Sequence, residues 1–571
     1  MNLNILLTGD KEIHMEQLKP KLFYVLKNYS KEQFIKDIVA GIIVAIIALP
    51  LSIALALASG VSPEKGLYTA IVAGFVISFL GGSRVQISGP TAAFATIVAG
   101  IVATSGLEGL AVATLMAGLL LILMGVLRLG NLIRFIPYTI TTGFTAGIAV
   151  TIAIGQFKDF LGLTYGEGVS PVETMEKAEA VVAHITTINI QALIVGILCL
   201  AILIFWPYIG KLLPGKAGKI AGSIPPSLLA VFAGIGMVSG FGMEVNTIGT
   251  LYEITNRPPT FQFPVINYEL FSSQFSNALT IAILAAVESL LSCVVSDSMI
   301  NSKHNSNMEL VAQGAGNVAS ALFGGIPATG AIARTAANVK NGGRSPISGM
   351  VHAVILLLVL VLFMPYAALI PMPAIAAILF MVAYNMCGWR EFVYLIKTSP
   401  KSDIAVLIVT FVLTVVFDLV IAIEVGIVFA AVLFMKRMSD VTQVEGWKYI
   451  NDPDDPDAIE LRQVPEGTLV YEISGPMFFA AADKLLKISV PEKTKNLIIR
   501  MRSVNAIDAT AMHNLEQLLT KCKKQNVQLI LSHVNEQPMH VMEKAGFYEA
   551  VGSENFCAHI DDAIKRAEDL Q

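Results

Sequence analysis

Between residues 39 and 435 the chain alternates long apolar runs with short polar breaks. The runs lie at 39–63, 66–80, 108–127, 137–155, 188–209, 222–240, 278–296, 310–323, 347–364, 372–387 and 404–435. Most reach the roughly 20 residues that an α-helix needs to cross a bilayer. Two small-residue segments break the pattern: GGSRVQISGPTAAFATIVAG, 81–100, and GGIPATGAIARTAANVKNGG, 324–343. Each opens on a double glycine and a Gly/Pro break, and continues as a helical stretch of roughly 10 to 14 residues, half the length of a span. With both added and the last run split at Asp418 there are about fourteen elements. The long polar stretch 241–275 divides them into sevens. An odd-numbered repeat must insert its second copy upside down, which brings the two half-helices, third in each half, together near the midplane.

Composition agrees with a polytopic α-helical membrane protein: 54% of residues are hydrophobic, 14% charged, and mean hydropathy is +0.67. Soluble domains average roughly 25% charged. With the N-terminus in the cytoplasm, Arg84, Arg128, Arg134, Lys211, Lys216, Lys219, Lys340, Arg344, Arg390, Lys397, Lys401, Lys436 and Arg437 fall on the inner side. The acid-rich loops with Asp159, Glu167, Glu173, Glu176, Glu244, Glu253 and Glu269 fall outside. This positive-inside arrangement predicts an even number of spans and both termini in the cytoplasm of a cell (inner or plasma) membrane. Residues 1–35 read as a cytoplasmic leader without the apolar region and cleavage site of a signal peptide. The five cysteines show no metal or redox spacing. There is neither a GxxxxGK[ST] phosphate loop nor an HExxH site. The expectation is a non-enzyme without metal, cofactor or nucleic-acid partner, seated in lipid.

The membrane domain is assigned to 36–438, and a cytoplasmic domain to 439–571, entered through an acidic linker with Asp452, Asp454, Asp455 and Asp457. There, β-rich runs at 468–474, 496–502 and 527–534 alternate with helical patterns at 479–488, 510–525, 535–545 and 560–569. Such alternation predicts an α/β sheet.

Glu288 stands mid-span in NALTIAILAAVESLLSCVVSD, with Ser292 and Ser296 one and two turns on. An ionisable residue at that depth costs roughly 2.5 to 3.5 kcal/mol and faces a cavity or a partner. The second half-helix opens with Ala331, Ile332, Ala333 and Arg334. Its free N–H groups, its positive dipole end and the Arg together form an anion site. The first opens with Pro90, Thr91, Ala92 and Ala93, the Thr hydroxyl serving as cap or donor. Either charge alone has a structural use: a static hydrogen bond for Glu288, pairing with Glu288 or snorkelling for Arg334.

These motifs resemble the sulfate permease (SulP) family of anion transporters: PLSIALALASGVSPEKGLYTAIVAGF (50–75), GGSRVQISGPTAAF (81–94), VESLLSCVVSD (287–297) and GGIPATGAIARTAANVKNGGRSPISG (324–349). The tail is similar to a STAS domain (sulfate transporter and anti-sigma-factor antagonist). The resemblance implies seven plus seven inverted spans, a core domain carrying both half-helices, a gate domain, a homodimer and elevator-like transport. It places the anion site on Thr91, Ala92 and Ala93, on Ala331, Ile332, Ala333 and Arg334, and on the first-span stretch with Leu51, Ser52 and Leu55. It places coupling on Glu288, with Ser292 beside it. Sodium-driven bicarbonate relatives carry Asp there, whereas Glu fits proton-coupled bacterial relatives, including dicarboxylate carriers, better; the expected coupling ion is H+, with Na+ as the alternative. Two positions depart from the pattern. Pro50, Leu51 and Ser52 stand where eukaryotic relatives show Pro-Gln-Gly, removing a side-chain donor. Asp508, Ala509, Thr510 and Ala511 stand where phosphate-accepting STAS domains read Asp-Ser-Ser-Gly or Asp-Ser-Thr-Gly, with Thr510 at the phosphoacceptor position or serving as a helix-start hydroxyl.

The expected function is secondary, proton-coupled transport of a small inorganic or carboxylate anion, such as sulfate, bicarbonate or a dicarboxylate. A cytoplasmic regulator would act at the STAS domain. The alternatives are an uncoupled anion channel or exchanger, a membrane-anchored sensor signalling through the tail, and a nucleobase carrier, which Arg334 and the lack of stacking aromatics near the break disfavour.

Overall fold

A computed structural model describes residues 18–130, 137–166, 169, 171, 173–212, 224–265, 267–417, 419–446, 463–486 and 488–571. Arg134, Glu167, Lys216, Lys219, Asp418, the acidic linker and most of the leader lie outside the described residues. The chain divides into two compact units, Met1–Ile427 and Val428–Gln571.

In the first unit the helices are α1 (Lys31–Ala58), α2 (Pro63–Leu80), α3 (Ala95–Val126), α4 (Tyr138–Leu161), α5 (Thr174–Ala183), α6 (Ile190–Leu212) and α7 (Pro226–Phe241). A second series follows: α8 (Tyr268–Ile300), α9 (Ser306–Leu322), α10 (Ile332–Lys340), α11 (Ile347–Ala367), α12 (Met372–Cys387), α13 (Trp389–Thr398), α14 (Lys401–Val416) and α15 (Leu419–Val441), the last running into the second unit. Among the described residues, 8 helices are long and apolar enough to cross a membrane. A 3-10 turn, Ala92–Phe94, leads into α3, and at Gly106 (φ 65°) the backbone leaves helical geometry. The stretch from Ala92 to this break is the first half-helix, and α10 is the second. Before them run the two-residue strands β1 (Ser88–Gly89) and β2 (Thr329–Gly330), paired antiparallel.

Packing follows the inverted repeat that the third-place half-helices imply. α1 packs on α11 as α8 packs on α3, α2 on α11 as α9 on α3, and α6 on α12 as α14 on α4. Two helix groups result. One holds α1–α3 with α8–α11, and the other α4, α6 and α7 with α12 and α14. Small residues permit these approaches: a Cβ at Gly118 would lie 2.7 Å from the Gly314 carbonyl oxygen, and one at Gly314 would lie 2.5 Å from that of Gly118.

The repeat also supports its irregular backbone from equivalent places. At the start of α1, Asp37 accepts from the Arg344 N–H (2.7 Å) in the loop after α10. At the start of α8, Gln274 donates to Ser105 (2.9 Å) beside the Gly106 break that ends the first half-helix. Thr69 of α2 holds Ile326 ahead of β2 (N–H to Oγ1, 2.7 Å). Glu309 of α9 holds Gly82 (2.9 Å) and Ser83 (3.0 Å) ahead of β1. An apolar surrounding provides no water to these groups, so the protein itself satisfies them.

The second unit is a five-stranded sheet in the order β3 (Gln443–Gly446), β4 (Thr468–Ser474), β5 (Asn496–Ser503), β6 (Gln528–Ser532), β7 (Phe556–Cys557), with β3 antiparallel and the rest parallel. Leu497, Ile499 and Met501 face one core, shared with helices α16 (Phe479–Leu486), α17 (Ala509–Lys524), α18 (Glu536–Lys544) and α19 (Phe547–Val551). Ile498 joins Val470 and Ile530 under α20 (Ile560–Asp569) on the other. Burial on both faces explains why NLIIRM reads as continuous apolar sequence. The expected strands and helices are all present. β3, β7, α5, α13 and α19 are additions: the two strands are too short to show alternation. α5 and α13 carry enough charge to read as loop.

The close contacts make a direct test. A methyl group at Gly82 would sit 2.1 Å from the Asn305 carbonyl oxygen, whereas at Gly100 nothing lies within 4 Å. Gly82→Ala is expected to destabilise the protein by about 1–3 kcal/mol and Gly100→Ala to leave it unimpaired. Thermal unfolding of the detergent-purified variants would read the difference, and equal Tm values would refute the packing.

Candidate anion-binding site

The site is built around the β1–β2 crossing, where Ser88 opposes Gly330 and Gly89 opposes Thr329. The Ala331 N–H extends the pair by donating to the Ile87 carbonyl (2.9 Å). Pro90, at the corresponding place on the other strand, has no N–H to return the bond. Asn317 of α9 supplies the missing donor to the Ala328 carbonyl (2.8 Å), and its Oδ1 accepts from the Ala328 N–H (2.8 Å). Neither half-helix start has a side-chain cap. Their first-turn N–H groups therefore point outward with no intrahelical partner, and the positive dipole end of each faces the crossing.

Arg334 is 2% exposed, and its Nη2 donates to the Pro90 carbonyl at 2.9 Å. The cation of one half-helix thus reaches the break that begins the other. Gly89 makes room for it, since a Cβ there would lie 2.6 Å from Nη1. Arg334 forms no ion pair with Glu288, and its Nε and Nη1 have no hydrogen-bond partner. The pairing considered from sequence is therefore not what holds this charge. Glu288, half-buried on α8, accepts instead from the Thr91 hydroxyl (3.0 Å). Of the two uses read for the Thr91 hydroxyl, cap or donor, it takes the second.

The polar stripe on α8 divides. Ser292 donates to Thr335 Oγ1 (3.3 Å), which accepts from the Ile87 N–H (3.0 Å), while Ser296 bonds the Cys293 carbonyl (2.9 Å). Ser292 thus ties α8 to Thr335 of α10 and does not touch the Glu288 carboxylate. Ala92 and Ala93 are buried, Ala331 is half-buried, and Ile332 and Ala333 are exposed at the helix start. On α1, Leu55 is in the apolar core and Ser52 is buried with its hydroxyl unpartnered. Leu51 lines a cavity of about 1010 Å³ with Phe157, Phe160, Leu203, Phe380 and Tyr384, between the two helix groups. In the second unit, Asp508 caps α17 by accepting from the Ala511 N–H (2.9 Å) and also accepts from the Phe479 N–H (2.7 Å). Thr510 is thus exposed on the first turn rather than the capping hydroxyl.

Sequence reading missed Glu309. Fully buried, it accepts from Gly82, Ser83, Gln86 Nε2 (2.8 Å) and Gln313 Nε2 (2.9 Å). Gln86 accepts in turn from Cys293 Sγ (2.9 Å), and Gln313 donates to Ser88 Oγ (3.2 Å). The signal was present in the spacing. Glu309, Gln313, Asn317 and Ser320 recur at helical intervals and form one polar face on an otherwise small and apolar helix.

Comparison with known proteins shows what the chain as a whole is similar to. The model of the Sulfate permease family matches residues 34–410 and that of the STAS domain residues 459–563. The chain is 40% identical over 548 residues to YvdB of Bacillus subtilis (strain 168), a candidate sulfate transporter by name, covering 94% of this chain and 98% of that one. It is 31% identical to the bicarbonate transporter BicA of Picosynechococcus sp. (strain ATCC 27264 / PCC 7002 / PR-6), covering 93% and 94%. Among solved structures, the transmembrane domain of a cyanobacterial BicA is matched with TM-score 0.60 at 30% identity, over 70% of this chain and 98% of that one. The murine Solute Carrier 26 family member A9 anion transporter is matched with TM-score 0.87 at 19% identity, over 97% and 94%, a likeness of fold.

The two acids differ in a way that predicts their responses. Glu309→Gln would turn one acceptor oxygen toward donors that need it, and a loss of about 1–3 kcal/mol in stability is expected. Glu288→Gln disturbs a single hydroxyl contact and is expected to keep the wild-type Tm. Equal destabilisation of the two variants would contradict the structural role of Glu309.

Proposed function

The chain belongs to the sulfate permease family, and from that premise we propose that it is a secondary active, proton-coupled transporter of a small anion: sulfate, bicarbonate or a dicarboxylate. The observation that carries the reading is the link from Glu288 to Thr91, at the start of the half-helix whose break also receives Arg334. Charge is recognised by the two helix starts and the guanidinium, and the coupling acid adjoins the same structure. The names of the BicA and YvdB relatives support oxyanions of this size.

In this mechanism the anion enters against the N–H groups of Ala92, Ala93 and Ile332 to Arg334, with Leu51, Ser52 and Leu55 of α1 as the neighbouring wall. Glu288 takes up a proton as the anion loads and surrenders it on the other side. Loading both together lowers the charge that crosses, at about 2.3 kcal/mol per elementary charge per 100 mV. The group carrying the half-helices then slides against the other group, elevator-fashion. The cavity beside Leu51, between the groups, supports a sliding surface of this kind. The protein works as a homodimer in the cell membrane with both termini in the cytoplasm, and exposed Thr510 offers the tail to a regulator.

A proteoliposome uptake panel of sulfate, bicarbonate, fumarate and other dicarboxylates under imposed pH and sodium gradients tests the reading. Accumulation of one of these anions driven by inward proton gradients is expected, abolished by Glu288→Gln while anion exchange persists. Full pH-driven accumulation by that variant would remove the coupling role, and uptake that never exceeds equilibrium would favour the channel. Uptake that survives deletion of 439–571 would exclude a purely signalling role.

A further inference from the structure

The second unit begins within α15, at Val428, and there the helix carries an exposed apolar stripe: Val428, Val432 and Met435 share one face, with Phe434 beside them. These residues close the apolar run 404–435, and the exposed Lys436 and Arg437 that follow are what the edge of a membrane span carries. One turn on, the helix is fastened to the sheet. Ser439 donates to the Ala480 carbonyl (2.6 Å) and Thr442 to that of Pro476 (2.7 Å), while Lys484 of α16 donates to the Ser439 (2.8 Å) and Thr442 (2.6 Å) carbonyls. Lys484 thereby answers carbonyls that the end of a helix leaves open. These bonds hold the start of α16 against Ser439, about 6 Å along the helix axis from Met435.

Phe434, Met435 and Met438 on the helix and Phe478 and Phe479 beside it line a cavity of about 300 Å³. Phe434 is 62% exposed and Phe479 54%, so large apolar surfaces stand open at its rim. The polar groups in its wall are already engaged: Asp508 accepts from the Phe479 (2.7 Å) and Ala511 (2.9 Å) N–H groups, and Ser439 bonds Ala480. Such a cavity suits hydrocarbon rather than an anion or a nucleotide.

Its place decides the occupant. The apolar stripe of α15 continues from the cavity into the run that reads as membrane-spanning, and the basic pair beside it complements lipid phosphate. A stable protein interface takes about 20 to 30 residues a side, whereas this edge offers a handful. We propose that it is a lipid-binding foot. Phe478 and Phe479 insert into the headgroup and acyl boundary of the adjoining leaflet, an acyl chain enters the cavity between them and Phe434 and Met435, and Lys436 and Arg437 meet the phosphates. The second unit is thereby held to the membrane surface where its chain leaves the bilayer. The foot uses α15 as a span and is independent of the anion and its coupling.

The test uses the full chain in vesicles of phosphatidylglycerol and phosphatidylcholine, with Phe479→Trp as reporter, Leu570→Trp as control, and wild type to subtract the 3 native tryptophans. Leu570 lies at the opposite end of β4: the adjoining Gln571 donates to the Glu466 carbonyl (2.5 Å), ahead of Thr468, whereas Phe479 follows Ser474. Lipid brominated at the roughly 5–10 Å depth that interfacial side chains reach is expected to quench the Phe479→Trp signal at least about twofold and to leave Leu570→Trp unchanged. Iodide in the water is expected to do the reverse. Quenching of Phe479→Trp by iodide with no effect of brominated lipid would overturn the proposal. Protection from both would put protein on this edge, a second copy or another part of the chain, and would overturn it equally. Should Phe479→Trp not fold, Phe478→Trp reads the same edge with the same expected outcomes.

Discussion

The pairing of Ser88 with Gly330 and of Gly89 with Thr329 is the constraint from which the rest of the membrane unit follows. Two segments of unwound chain lie within an apolar helical bundle, where an unsatisfied N–H or carbonyl costs several kcal/mol. Each supplies part of what the other lacks. The remainder comes from Glu309 and Asn317 of α9, from Thr69 of α2, and from Thr335, which Ser292 bonds in turn. Because this backbone demand is met from the flanks and from behind, the helix starts can keep their own N–H groups for a ligand. Glycine at 89 and 330 is then a steric requirement: a Cβ at Gly330 would lie 2.2 Å from Gln86 Nε2, as one at Gly89 would meet Arg334.

The inverted repeat makes the frame symmetric and leaves the chemistry unequal. Equivalent elements hold equivalent loops, yet Asp37 is matched by Gln274 and Glu309 by Thr69. At the centre, one half contributes a hydroxyl directed to an acid, and the other contributes a guanidinium. Proline at 90 leaves its side of the crossing without a donor, and the carbonyl of that same Pro90 receives the Arg334 side chain. A symmetric site would hold two acids or two cations; this one pairs a guanidinium with an ionisable carboxyl in a single helix group.

Much of this was legible in the chain. The half-helices follow from runs too short to span that open after Gly-Gly, and their antiparallel meeting follows from an odd repeat. The second unit was readable strand by strand, because TLVYEIS and NLIIRMR lie where both sheet faces are buried. The side-chain partners were not legible. Nothing in the sequence says that Thr91 turns to Glu288 rather than capping its helix, or that Ser292 bonds Thr335, since both choices depend on how α8 is rotated against α10. Glu309 does not stand out because an acid at the edge of an apolar run looks like loop, although its spacing with Gln313 and Asn317 describes a buried polar face. Leu51 was placed with the anion by resemblance, and it lines the cavity between the helix groups.

In the proposed site both half-helix starts hold one anion, with Arg334 facing it. Locating the transported anion in an experimental map tests this most directly. Density is expected within hydrogen-bonding distance of the N–H groups at Ala92 or Ala93 and at Ile332 or Ala333, with the Arg334 guanidinium adjoining. Density seated against one helix start alone, or in the cavity beside Leu51 and Phe157, would contradict it.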